Sequence, residues 1–169
     1  YWKITCAPHV TVKNIYLSQK QIDWWKKLYF YGLGEFFYKN NIKTNIDEFM
    51  NITAGTNKLL KSEINISDEF TGALVPIGGG KDSIVTLNVI KDDFANNMCY
   101  VINSRGATEE TAETAGYGEN KRCYVKRTLD KNMLELNKQG YLNGHTPFSS
   151  IVAFSALIVA YLNKKKYIV

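Results

Sequence analysis

Residues 78–83, Gly-Gly-Gly-Lys-Asp-Ser, are of the types that do chemistry at close quarters. Glycines carry no Cβ, so their backbone N–H groups can approach a ligand, and a helix starting here would add a partial positive charge. The stretch predicts an anion site, with phosphate the expected occupant. Two familiar phosphate loops do not fit it. A Walker A loop needs glycine, four residues, then Gly-Lys-Ser/Thr. Here Gly80-Lys81 is followed by Asp82, and Val75 stands where the first glycine belongs. The dinucleotide pattern GxGxxG fails at its third glycine, which is Ser83. An acid within a phosphate cradle predicts a magnesium ion that rides on the phosphates, and Asp82 is its candidate ligand.

Fewer residues elsewhere have this potential. Asn103, Ser104 and Arg105 follow the next apolar run, where a ligand would extend from the loop. Arg105 reads either as a contact to phosphate or substrate or as an exposed loop arginine. His145, in "NGHTPF", precedes a helix start and reads either as a ligand contact or general acid–base, or as a loop histidine. His9 reads as structural. Glu109, Glu110 and Glu113 read as a solvated helix face that complements the helix dipole. Cys6, Cys99 and Cys123 are widely spaced with no CxxC pair, which argues against a disulfide framework or a zinc site. Cys99 and Cys123 fall in apolar runs, as small buried thiols do.

The elements that must position these groups alternate. "GALVPI" (72–77), "MCYVIN" (98–103) and "RCYVKRTL" (122–129) read as strands, and "YIV" at 167–169 as the start of a fourth. Between them lie helical patterns in "SIVTLNVIKDD", "ATEETAETAG", "DKNMLELNKQG" and "TPFSSIVAFSALIVAYLNKK". Asp130 caps the third of these and Gly140 ends it. Thr146 as N-cap and Pro147 at the first position open the fourth, which is apolar nearly all round and so expected to be buried. Such alternation predicts a parallel α/β sheet whose ligands sit at the carboxyl ends of its strands. Before it, residues 18–40 read as one long helix opened by the capping box of Ser18 and Gln21, with Gly32 and Gly34 weakening its middle. Residues 45–62 read as a shorter helix and 61–70 as a polar linker. The division expected is a mainly helical N-terminal segment, 1–70, and a nucleotide-binding α/β domain, 71–169.

Composition sets limits on partners. A net charge of +5 spread over 169 residues suits an anionic small ligand and does not call for a nucleic-acid surface. Lys164, Lys165 and Lys166 read as a helix C-terminus. The longest apolar run, Ile151 to Leu162, is half a membrane thick, and no signal-peptide pattern opens the chain, so a cytoplasmic protein is expected. Tyr1 at one end and "KKKYIV" at the other read as the ends of a piece of a longer protein, truncated at the C-terminus.

The glycine pair, a variable residue, Asp and Ser after a first strand resemble the PP-loop of the ATP-pyrophosphatase superfamily, which includes GMP, NAD and asparagine synthetases. That pattern usually begins with serine, and Gly78 stands there instead, so one hydroxyl donor is missing. The resemblance implies a Rossmann-like fold of the adenine-nucleotide alpha-hydrolase type, with ATP and Mg2+ as cofactors. It implies pyrophosphate on Gly79, Gly80 and Ser83, with Gly78 in the same loop, and magnesium on Asp82. Lys81, at the variable position, faces either phosphate or solvent, and adenosine would lie by Asn103 and Arg105.

A narrower resemblance runs through "HVTV", "WWKKLYFYGLGEFFYKNNI", "VPIGGGKDS" and "NGHTPFSSIVAFSALIVAYL". Together they are similar to the ATP-dependent UDP-N-acetylmuramoyl-L-alanyl-L-glutamate epimerase family of peptidoglycan synthesis. That likeness implies a sugar-nucleotide peptide substrate whose glutamate is adenylated with release of AMP and pyrophosphate, and then inverted. Asp82 and His145 are the catalytic candidates. The alternatives are another PP-loop adenylating enzyme, of tRNA modification or amide synthesis, and an ATP- or AMP-binding module without turnover.

Overall fold

The computed structural model describes residues 2–56 and 69–169. They fall into two units, one of residues 2–56 and 129–147, the other of 69–128 and 148–169.

The second unit is a parallel α/β sheet. Strands β3 (Thr71–Pro76), β4 (Met98–Ile102), β5 (Arg122–Val125) and β6 (Lys165–Ile168) lie in the order β5-β4-β3-β6, every pairing parallel. The chain winds outward from β3 through β4 to β5, then returns to the far side of β3. The strand order therefore reverses at β3, the place where open α/β sheets leave a crevice.

Side-chain alternation along the strands builds two cores. Val75, Ile77, Cys99 and Val101 face one way and pack with Leu87 of α4 (Lys81–Val89) and Ala112 of α5 (Gly106–Thr114). Leu74 and Tyr100 face the other way, onto Ala156, Val159 and Ala160 of α7 (Phe148–Leu162). The Tyr100 and Ser155 hydroxyls lie 2.6 Å apart across that layer. Gly72, with φ +61°, is fixed by a neighbour, since a Cβ there would stand 2.1 Å from the Asn96 carbonyl oxygen.

Helix α7 is not buried all round, contrary to its apolar sequence. It covers one sheet face with a stripe of small residues, while Leu157, Ile158 and Leu162 are more than half exposed. It begins at Phe148, after Thr146 and Pro147. Among the described residues no helix is long and apolar enough to cross a membrane.

The first unit holds α1 (Trp2–Thr5), β1 (His9–Val12), α2 (Gln19–Gly32), α3 (Gly34–Lys39), β2 (Asn51–Ala54) and α6 (Lys131–Lys138). The Ser18–Gln21 capping box opens α2 as expected: Gln21 N–H donates to Ser18 Oγ, and Ser18 N–H to Gln21 Oε1. The long helix breaks at Leu33 into α2 and α3. Pro147 presses against Gly32 so closely that a Cβ there would meet its ring at 2.8 Å.

The helix expected over 45–62 is overturned where described, because residues 51–54 form β2, paired in parallel with β1 from His9↔Asn51 to Val12↔Ala54. Its remainder, and the linker at 61–68, lie outside the described residues. The N-terminal part is therefore not only helical. Asp130 caps α6 through the N–H groups of Asn132 and Met133. That helix belongs with the N-terminal elements, where α1 touches it. Leu33, Phe36, Phe49, Met50 and Ile52 form the core of this unit.

Candidate functional site

The glycine loop leaves the carboxyl end of β3 and enters α4. Gly80 occupies the N-cap position without a side-chain cap, so the first N–H groups of α4 remain free to meet an anion. Gly79 is required by both conformation and space. Its φ is +81°, and a Cβ would press on Ala107 and the Thr108 nitrogen at 3.0–3.1 Å, against the first turn of α5. Gly78 and Gly80 differ, since a Cβ on either meets no atom within 4 Å. Their missing side chains leave open space above the loop.

Ser83 is buried, and its hydroxyl accepts from the Gly78 N–H at 3.1 Å, closing the loop on itself. The hydroxyl proton remains available for donation. Lys81 and Asp82, in the first turn of α4, are exposed. Among the described residues no group of three or more His, Cys, Asp or Glu could hold a metal. A lone carboxylate beside a phosphate loop fits magnesium, which draws its other ligands from phosphates and water.

A pocket of about 280 Å³ opens beside the loop, lined by Gly78, Asn103, Arg105, Thr108, Arg127 and Phe148, among others. The structure thus brings Gly78, Asn103 and Arg105 to one cavity at the carboxyl ends of β3 and β4. Asn103 takes φ +50° and ties two strand ends together. Its Nδ2 donates to the Arg127 carbonyl at 2.8 Å, and its Oδ1 accepts from the Arg127 N–H at 2.7 Å. Arg105 is held by its backbone alone: its N–H donates to Thr108 Oγ1, whose hydroxyl donates to the Arg105 carbonyl. The guanidinium stays exposed. His145 lies outside the unit that holds this pocket. It is an exposed residue of the other unit, in the segment before α7.

Two features escaped sequence reasoning. Arg127 lines the pocket with its guanidinium carbon 5.1 Å from the centroid of the Phe148 ring. The carboxyl-end rule that drew attention to the residues after β3 and β4 would have found it if applied to β5 as well. Glu109 is the second, and the solvated-face reading of this residue is corrected. Its carboxylate accepts from Ser104 Oγ, from Tyr124 Oη at 2.8 Å and from the buried Arg122 Nη1 at 2.7 Å. These bonds, that of Ser104 foremost, hold its carboxyl below the usual glutamate value. They also anchor the 103–105 loop from behind. Burial pushes the Cys99 thiol up to about 12, which leaves it un-ionised and unreactive at neutral pH.

Comparison with known proteins adds a family. The MurL N-terminal domain family matches residues 1–169. The chain is 25% identical over 163 residues to a UDP-N-acetyl-alpha-D-muramoyl-L-alanyl-L-glutamate epimerase of Xanthomonas oryzae pv. oryzae, covering 96% of this chain and 35% of that protein. A protein of the same name from Salinispora tropica is 26% identical over 163 residues, 96% of this chain and 34% of its own. One from Micromonospora sp. is 28% identical over 137 residues, 81% of this chain and 29% of its own. The chain thus spans about a third of the length of the curated relatives it matches. No solved structure matches it.

Proposed function

The chain belongs to the MurL N-terminal domain family, and from that premise we propose that it forms the ATP-binding part of a peptidoglycan epimerase acting on UDP-MurNAc-L-Ala-L-Glu. The observation that carries this reading is the glycine loop at the carboxyl end of β3, with free N–H groups at the start of α4 and Asp82 in its first turn. In this reading the loop is of the PP-loop type and the sheet of the adenine-nucleotide alpha-hydrolase type.

The chemistry explains why an epimerase would use ATP. The α-proton beside a carboxylate is very weakly acidic, because removing it piles negative charge on negative charge. A substrate carboxylate oxygen attacks the α-phosphorus of ATP, the bond from that phosphorus to the bridging oxygen breaks, and pyrophosphate leaves. The carboxyl, now a mixed anhydride with AMP, has lost the negative charge beside the α-carbon, and its α-proton is far easier to take. A base removes that proton, reprotonation follows on the opposite face, and water releases the D-glutamyl product and AMP.

The chain's own residues serve the first step. Backbone N–H groups of Gly79 and Gly80, with the Ser83 hydroxyl, hold the oxygens of the departing pyrophosphate, where charge grows in the transition state. Lys81 adds positive charge from the loop. Asn103 and Arg105 flank the nucleoside. Magnesium, when bound through Asp82, neutralises phosphate charge. His145 is the candidate acid or base of the inversion.

The native protein, given ATP-Mg and UDP-MurNAc-L-Ala-L-Glu, releases AMP and pyrophosphate and yields D-glutamyl product. Release of ADP, or AMP formation that does not depend on the peptide, sinks the reading.

A further inference from the structure

Arg127 belongs to no motif, yet it is the pre-set cation of the pocket. Its backbone is pinned by both hydrogen bonds to Asn103, so its Cα is fixed relative to the end of β4. Its half-buried side chain lies against the Phe148 ring, which holds the guanidinium plane by cation–π attraction. Neither Arg127 nor Arg105 has a carboxylate partner among the described residues. Arg122 shows the contrast, since its buried guanidinium is fully engaged by Glu109 and the Tyr117 carbonyl. Two guanidiniums without acids on one small cavity predict an anionic ligand. Tyr100, Ile102 and Val152 also wall the cavity, and such apolar surfaces strengthen any ion pair made against them.

Position separates Arg127 from the phosphate loop. It follows β5, two strands from β3, so its backbone stands roughly 10 Å across the sheet from the glycines. The glycine loop and the α4 N-terminus already supply donors for phosphate. A planar fork grips a carboxylate or a phosphate with two parallel N–H bonds. With the phosphates already provided for at the loop, a carboxylate is the anion left for the far wall.

Resting on the nucleotide reading of the loop, we propose that Arg127 is a substrate-binding residue that holds a glutamate carboxylate of the acyl substrate. A terminal glutamate carries two carboxylates, and only one can be activated in each turnover. Clamping one of them on Arg127 fixes which oxygen reaches the α-phosphorus.

Calorimetry on the native protein and its Arg127→Ala and Arg127→Lys variants tests this, with three probes applied singly: ATP-Mg, UDP-MurNAc-L-Ala-L-Glu and UDP-MurNAc-L-Ala. Among the described residues the side chain makes no ion pair, so both variants are expected to fold, which a urea unfolding curve of each checks. Arg127→Ala is expected to weaken the glutamyl probe roughly 10- to 100-fold. It leaves ATP-Mg and the probe without glutamate within about twofold, and Arg127→Lys recovers little because it lacks the fork. A parallel loss of ATP-Mg affinity overturns the proposal and makes Arg127 a phosphate ligand. An equal loss with UDP-MurNAc-L-Ala, or no loss with the glutamyl probe, also overturns it. A wild type that binds the glutamyl probe but not ATP-Mg overturns the nucleotide reading alone, and the glutamyl probe still decides Arg127. A wild type that binds neither overturns both.

Discussion

At the scale of single residues, the glycines of the loop are not equivalent, and their differences can be measured. Gly78 sits where the PP-loop pattern that the stretch resembles has serine, and the space beside it is empty. Gly78→Ser should therefore leave stability within about 0.5 kcal/mol, as a substitution clear of any contact does. Affinity for ATP-Mg should be kept or raised by the restored hydroxyl. Gly79→Ala meets positive φ and the α5 backbone together, and should cost about 1–3 kcal/mol in urea unfolding, with loss of nucleotide binding. If both substitutions are equally harmless, the loop does not hold a ligand in this conformation. Asp82 makes a different demand. An exposed carboxylate that holds magnesium acts mainly where charge develops, so Asp82→Ala should cut kcat at least about 100-fold while nucleotide Kd moves only a few-fold. Unchanged kcat removes the metal role.

At the scale of elements, α5 and β5 are joined by a polar cluster with a defined response to acid. Removing Glu109 would leave the Arg122 guanidinium, 2% exposed, with only Glu113 at 3.5 Å as its acidic partner. Glu109→Gln should therefore cost about 1–3 kcal/mol near neutral pH, less than a fully buried pair because Glu109 is partly solvated. Its carboxyl is held below the ordinary value of 4.5 in the folded state, so its stabilisation is complete above that value. It is lost as pH falls through the lower folded value. Urea unfolding from pH 6 to pH 3 should thus be flatter in Glu109→Gln than in the wild type, and an identical slope excludes the cluster as an acid-labile tie. What could be read from sequence at this scale was what neighbours along the chain decide. The strand–loop–helix at Gly78–Gly80 and the Ser18 and Asp130 caps were all legible. Features decided by distant partners were not. β2 exists because β1 lies beside it some forty residues away in sequence, and Gly32 has no room for a side chain because Pro147 packs against it. The position of Arg127 after β5 was within reach of the carboxyl-end rule, but its ties to Asn103 and Phe148 are made only in the fold.

At the scale of the whole molecule, the chain builds separate cores from interleaved segments. Residues 129–147 leave the sheet after β5 and join the N-terminal elements, and the chain returns to the sheet with α7. No sequence period announces such an excursion, because α6 reads as a continuation of strand–helix alternation whichever core it serves. Yet the consequence is sharp. Phe36 is fully buried in the aromatic core of the first unit, with Phe37 and Trp2 against its ring. Leu87 is 1% exposed under α4, in the core that supports the glycine loop. Truncating either to alanine leaves a cavity and should cost about 2–5 kcal/mol. Stability alone does not distinguish them, but ligand affinity does. Leu87→Ala loosens the helix whose N-terminus is proposed to meet the phosphates, so ATP-Mg affinity should fall by about tenfold or more at a temperature where the variant is still folded. Phe36→Ala should leave that affinity within about twofold under the same conditions, because no residue of its core carries the loop. Calorimetric titration of both variants measures this difference directly. Equal losses in the two would show that nucleotide binding depends on both cores together, and that the sheet unit does not hold the site by itself.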